Sequence, residues 1–380
     1  MAHFPAVLIG GPPDSGKSVL TFSLTYTLRQ RGIQHYVLRA CPDGEGDWTQ
    51  TADQELVHTI LVPQTWTPNF VDHICRDLAN RHLPLIVDVG GRPKPWQEAI
   101  LGCCTHAILL TPDEASRRQW RELMARHGVM LLADLHSALE GEGHVDQSQP
   151  ILRGSLTGLK RGSHARGPAF DALVDRLAQV LAFPGDELRR LHLENAPVET
   201  VVELDRLKRT LKIGGLPAVW EPDSLPDVLA YLPEGVSLAL YGRGPNWLYA
   251  ALAILAYPAI LYQFDVRLGW LKPAALKLGR PPLDAALRVA VLPAETHTRL
   301  ECSLPGGYID YHQADGLCVP DVPLDRGIIC SGKLPHWLST SLALVYRQAR
   351  WLAVFQPPLG GAVVVHTTPG APPVGSVLRV

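Results

Sequence analysis

The segment GRGPNWL at 242–248 returns as GKLPHWL at 332–338, ninety residues on, and FDVRLG at 264–269 is answered by FQPPLG at 355–360 after one inserted residue. Recurrence at a fixed spacing constrains a fold more than any single motif, because both stretches must then build the same supersecondary unit. Each copy reads as a strand (SLALYG; GIICSG), a glycine turn, a proline opening a helix, Trp-Leu and an apolar helix. A second strand (AILYQF; ARWLAVF) and another glycine turn follow. Two tandem α/β units are expected, over 200–284 and 285–380.

The first turn of each copy combines backbone donors, a helix N-terminus and one cation, a combination suited to an anion. Gly242, Arg243, Gly244 and Asn246 in the first copy, and Gly332, Lys333 and His336 in the second, are the candidate ligand-binding residues. Arg243 and Lys333 are the expected phosphate contacts, while Trp247 and Trp337 read as core. The repeat also explains the apolar run WLYAALAILAYPAILYQF, 247–264, whose counterpart carries Arg347 and Arg350. Pro258 divides that run into a helix and a strand, each too short for a hydrocarbon core of about 30 Å.

A different pattern opens the chain. The strand VLI runs into Gly10-Gly11-Pro12-Pro13-Asp14-Ser15-Gly16-Lys17-Ser18 and then an amphipathic helix ending near Gly32. That is the strand–loop–helix context of G-x-x-x-x-G-K-[ST], in which backbone N–H groups cradle phosphates. Gly11, Asp14, Ser15, Gly16, Lys17, Ser18 and Val19 are the expected nucleotide-binding set. Lys17 reads as an exposed loop cation directed at the β/γ-phosphates, and Ser18 as a ligand to Mg²⁺, with Mn²⁺ as an alternative. Strands HYVLRA, LPLIVDVGG, HAILLTP and VMLLAD follow, with helical stretches between several, so 1–190 reads as a P-loop NTPase domain with a covered parallel sheet. Asp88 ends one of these strands and is the expected Mg²⁺ carboxylate and catalytic partner of Lys17. The region resembles P-loop NTPases of the deviant-Walker and dethiobiotin-synthetase type. The basic, glycine-rich stretch 153–167 reads either as a lid over phosphates or as a solvated linker.

The 35 basic and 37 acidic residues leave a net charge of −2, so no global positive field advertises long nucleic acid, and any anion must be held locally. Seven cysteines form no C-x-x-C pair, and with no signal peptide at the start the expectation is a reducing cytoplasm and no membrane association.

The turns YGRGPNWL and SGKLPHWL, each followed by an apolar helix and a strand into FDVRLG or FQPPLG, with GGAVVV after the second, resemble the pattern S-G-R-x-P-x-W-L, apolar helix, D-P-R-L-G and A-V-V-V of the CRISPR-associated ring nucleases called Csx-three, over roughly 210–380 as two copies. Some members of that family are fused to a P-loop ATPase. The resemblance implies a cyclic oligoadenylate ligand, cyclic tetra-adenylate above all, a homo-oligomeric assembly, and roles in ring cleavage for Asp265 and Arg267. The family's histidine after the apolar helix falls near Tyr257 and Arg347, neither a histidine, and the second copy has Gln356 and Pro358 for Asp265 and Arg267. The implied protein is a type III CRISPR accessory factor, an ATPase joined to a tandem cyclic-oligoadenylate sensor with weak, altered or absent ring cleavage. The alternatives are a small-molecule or polynucleotide kinase whose C-terminal repeats set specificity, and a non-enzymatic scaffold.

Overall fold

The computed structural model describes residues 4–42, 66–214 and 219–379. The chain divides into two compact units, 1–191 with 266–268, and 192–265 with 269–380.

In the first unit the order is β1 (Ala6–Gly10), α1 (Lys17–Gln30), β2 (Tyr36–Arg39), α2 (Pro68–Ala79), β3 (Leu85–Asp88), α3 (Ala99–Gly102), β4 (His106–Thr111), α4 (Glu114–Arg126), β5 (Met130–Ala138), β6 (His144–Gln147), β7 (Leu152–Thr157) and α5 (Pro168–Leu181). These strands form one sheet in the order β2-β3-β1-β4-β5-β7-β6. All pairings are parallel except β6 with β7. β1 and β3 are buried throughout, as strands covered on both faces must be. Leu20, Leu24 and Leu28 of α1 and Phe170, Leu173, Leu177 and Leu181 of α5 share a core with Val7, Ile9 and Ile108. At the end of β1, Trp120 of α4 packs so closely that a Cβ on Gly10 would lie 2.8 Å from its ring.

The structure corrects the reading of 153–167. Its first part is β7, where Leu152, Gly154 and Leu156 are buried in a sheet. Gly154 is required there, since a Cβ would lie 2.1 Å from the His144 carbonyl oxygen. The composition cue of glycine and arginine masked an inserted strand.

The second unit contains β8 (Val201–Glu203), β9 (Leu238–Tyr241), β10 (Leu261–Asp265) and β11 (Gly269–Leu271) in one sheet, ordered β11-β10-β9-β8. It also contains a two-stranded pairing of β12 (Lys277–Leu278) with β15 (Cys318–Val319). Its larger sheet is β13 (Arg288–Pro293), β14 (His297–Ser303), β16 (Gly327–Ser331), β17 (Trp351–Gln356), β18 (Gly361–Thr367) and β19 (Val377–Arg379), in that spatial order. Pairings run parallel, parallel, antiparallel along β8-β9-β10-β11. The same three senses recur along β14-β16-β17-β18. A helix connects the middle parallel pair in each sheet: Asn246–Ala256 between β9 and β10, and His336–Val345 between β16 and β17. The apolar run thus resolves into that first helix and β10, with a cis peptide before Pro258. Among the described residues no helix is long and apolar enough to cross a membrane.

Candidate functional site

In the first unit, Gly11 to Ser18 joins the C-terminal end of β1 to α1. Gly16 caps the helix with φ 85°, and a Cβ there would lie 2.6 Å from Leu159, so the loop is backed by the segment after β7 and only glycine fits. Gly11 is equally confined, since a Cβ would meet the Leu110 carbonyl oxygen at 2.1 Å. Asp14 is exposed with φ 59°, a left-handed turn position that Asp tolerates. The loop closes on the Pro12 carbonyl, which accepts from Ser15 Oγ at 2.9 Å and from Lys17 Nζ at 2.5 Å. Ser137 Oγ donates to the Ser15 carbonyl at 2.9 Å, tying the loop to β5.

Lys17 is 7% exposed, so it is not the exposed cation expected from the sequence; burial lowers its pKa, and Asp88 is the largest influence in the other direction. Asp88 is 1% exposed at the end of β3, beside β1 in register with Ile9. Its Oδ1 accepts from the Gly90 N–H at 3.1 Å and its Oδ2 from Arg39 Nη1 at 2.6 Å. Ser18 is half-buried in the first turn of α1, and Val19 faces the core. A cramped glycine loop at a helix start, a lysine folded into it and a buried carboxylate on the adjacent strand suit a nucleoside phosphate with a divalent ion. Ser18 and Asp88 would be the protein's ligands to that ion, and no cluster of three acidic, histidine or cysteine side chains among the described residues offers another metal site.

In the second unit, β9 and β16 each end in a glycine with positive φ: Gly242 at 114° and Gly332 at 144°. Arg243 and Lys333 follow, both exposed. Pro245 and Pro335 then stand at the N-caps of the two helices, α9 (Asn246–Ala256) and α10 (His336–Val345), taking the short helices 185–194, 204–211 and 225–231 as α6 to α8. Neither α9 nor α10 has a side chain capping its first turn. Trp247 and Trp337 are buried, as expected of core residues. The first turn is held from behind: Tyr249 Oη donates to the Gly242 carbonyl at 2.8 Å, and Trp220 Nε1 donates to the Arg243 carbonyl at 3.3 Å. Burial raises the Tyr249 pKa, with Asp265 and Asp205 adding to the shift, which keeps its hydroxyl a donor.

Equivalent residues of the two copies touch. The His336 ring nitrogen Nδ1 lies 2.6 Å from Asn246 Oδ1, and both residues open their helices. The Arg347 guanidinium sits 3.8 Å from the centroid of Tyr257, and both residues lie just past the helix ends. Contacts between like positions at both ends place α9 and α10 side by side in the same direction along a common axis. The glycine turns carrying Arg243, Gly244 and Lys333 therefore stand at one end of that axis. Tyr249 stacks on His336 at 4.7 Å, on one side of the axis only, since the position equivalent to Tyr249 is Ser339.

Asp265 ends β10, the parallel neighbour of β9, and so stands at the same carboxyl edge as the Gly242 turn. Arg267 falls in the first unit, where its Nη1 meets Asp77 Oδ2 at 3.1 Å. The structure therefore engages Arg267 with Asp77, while Asp265 shares the turn region with Asp205, both close enough to act on Tyr249. His366 lies on β18 with its pKa lowered by burial. Sequence reasoning missed Arg39, Tyr249 and the Tyr257–Arg347 pair. It also missed His192, which is buried against Phe264 and hydrogen-bonds Tyr241 Oη at 2.9 Å.

Residues 303–379 match the model of the CRISPR-associated protein family Cas_csx3. That stretch runs from the end of β14 through β15, β16, α10, β17 and β18 to β19, so it contains the second glycine turn and the helix it opens. No curated protein matches the chain.

Proposed function

We propose that the chain is a CRISPR accessory protein in which a P-loop ATPase domain is joined to two tandem Csx-three-like units that bind a cyclic oligoadenylate. The carrying observation is the contact of Asn246 with His336, like positions at the starts of parallel helices. It gathers two glycine turns, two uncapped helix starts and two cations at one end of their common axis, an arrangement complementary to a compact polyanion with repeated symmetry. The family match over 303–379 supports this for the second copy, and the shared strand order and senses extend it to the first.

Binding is retained in this reading while ring cleavage is weak, altered or absent. Where the resemblance aligns a histidine there is a Tyr257–Arg347 stack, which offers no general base. Asp265 has Gln356 as its counterpart, and Arg267 is paired with Asp77. In the ATPase half, Lys17 and the loop amides would hold the β- and γ-phosphates, and Ser18 and Asp88 would hold a divalent ion whose positive charge favours phosphoryl transfer. A calorimetric screen of cyclic tri-, tetra- and hexa-adenylate, with and without ATP and Mg²⁺, tests the reading. Binding of one ring supports it, and binding of none contradicts it. Labelled ATP tests the ATPase: release of phosphate to water supports it, whereas label passing to an acceptor makes the protein a kinase.

A further inference from the structure

Arg39 and Asp88 face each other at the same level of the sheet, paired in register across β2 and β3, with Ile9 of β1 next in line. β2 and β1 are two interstrand spacings apart, roughly 10 Å. Arg39 Nη1 reaches Asp88 Oδ2 at 2.6 Å, and with the Gly90 N–H on Oδ1 both oxygens of this buried carboxylate are engaged. A buried carboxylate needs a counter-charge. Lys17 is close enough for both Asp88 and Arg39 to act on its charge, yet its ammonium donates to the Pro12 carbonyl rather than to Asp88. Arg39 is therefore the direct counter-ion of the carboxylate assigned to the divalent ion.

Asp88 Oδ2 cannot serve Arg39 and the surroundings of a divalent ion in the same way. A guanidinium held against that oxygen would stand beside a 2+ charge and be repelled. The loop after β1 begins at the same level of the sheet as Arg39 and Asp88, so the terminal phosphate of a nucleotide held there would be the nearest strong acceptor. Arg39 suits the transfer: its side chain is 19% exposed and ends in a fork of donors that matches phosphate oxygens. We propose that Arg39 is a γ-phosphate-sensing residue, which neutralises Asp88 in the structure and passes to the terminal phosphate when a Mg²⁺-nucleoside triphosphate binds. This rests on the P-loop reading of the first unit.

The test is the Kd of a non-hydrolysable ATP analogue and of ADP, each with Mg²⁺, measured by calorimetry on the full chain and on Arg39→Gln. The expected result is a loss of about tenfold or more for the triphosphate analogue, the size of one charge-assisted contact, with ADP affinity within about threefold of wild type. Equal losses for both nucleotides, or none for the analogue, would overturn the proposal and leave Arg39 as a structural partner of Asp88. Arg39→Lys keeps the counter-charge should the glutamine variant fail to fold, but offers a single point of contact. It should lose at least about threefold in preference for the triphosphate, and wild-type preference in that variant overturns the transfer. If the unaltered protein binds neither nucleotide, the P-loop reading itself fails and takes this inference with it.

Discussion

Lys17 joins two roles at one residue. Its ammonium closes the loop on the Pro12 carbonyl and, in the proposed ATPase, turns to phosphate. Lys17→Ala should abolish ATP turnover, measured as phosphate release. It removes one hydrogen bond of a mostly buried side chain, so stability should fall by about 1 kcal/mol, read from the urea midpoint. Retained turnover would refute the assignment. The strand, loop and helix around Gly11 to Ser18 were legible in the sequence because an apolar run, a glycine cluster and an amphipathic stretch follow one another within one short segment. Arg39 was not, because its partner Asp88 lies 49 residues away and only the strand order β2-β3-β1 brings the two together.

At the scale of elements, the two glycine turns should respond unequally to the same substitution. Gly242 and Gly332 both have positive φ, but a Cβ on Gly242 would find Leu204 at 3.4 Å, whereas on Gly332 it would lie 2.2 Å from the Cys302 carbonyl oxygen. Gly242→Ala should cost about 1–3 kcal/mol of strain. Gly332→Ala should cost more, because backbone must move as well, and a denaturant series on both variants shows it; equal losses would contradict the stated geometry. The helix pair can be tested separately. A double-mutant cycle of Tyr257→Leu and Arg347→Met should give a coupling of about 0.5–1 kcal/mol, at the low end for a stacked cation because Tyr257 is 46% exposed. Zero coupling would mean that the helix ends are not in contact in solution. The repeated strand, turn and helix could be read from apolar runs and punctuation. Their mutual arrangement could not, since α9 is apolar nearly all round and periodicity gives no face of it to set against α10. The stretch 153–167 misled for a related reason: alternation at Leu152, Gly154 and Leu156 was hidden by residues typical of loops.

Over the whole molecule, the proposed function has two separable parts, a nucleotide chemistry in the first unit and a ring-binding cleft in the second. The second is the central one. It requires Arg243 and Lys333 to act on one ligand, since their turns stand at the same end of the axis marked by Asn246 and His336. Losing one charge-assisted phosphate contact costs about 1.5–3 kcal/mol, or roughly ten- to hundredfold in affinity. Each single change to alanine should therefore weaken cyclic tetra-adenylate binding by that factor, and ATP turnover without the ring should survive. The most direct measurement is calorimetry of cyclic tetra-adenylate with the double variant Arg243→Ala, Lys333→Ala beside the unaltered protein. One ring should bind to the unaltered protein, with binding near background in the variant; wild-type affinity in the variant would rule out a ring held by the two turns.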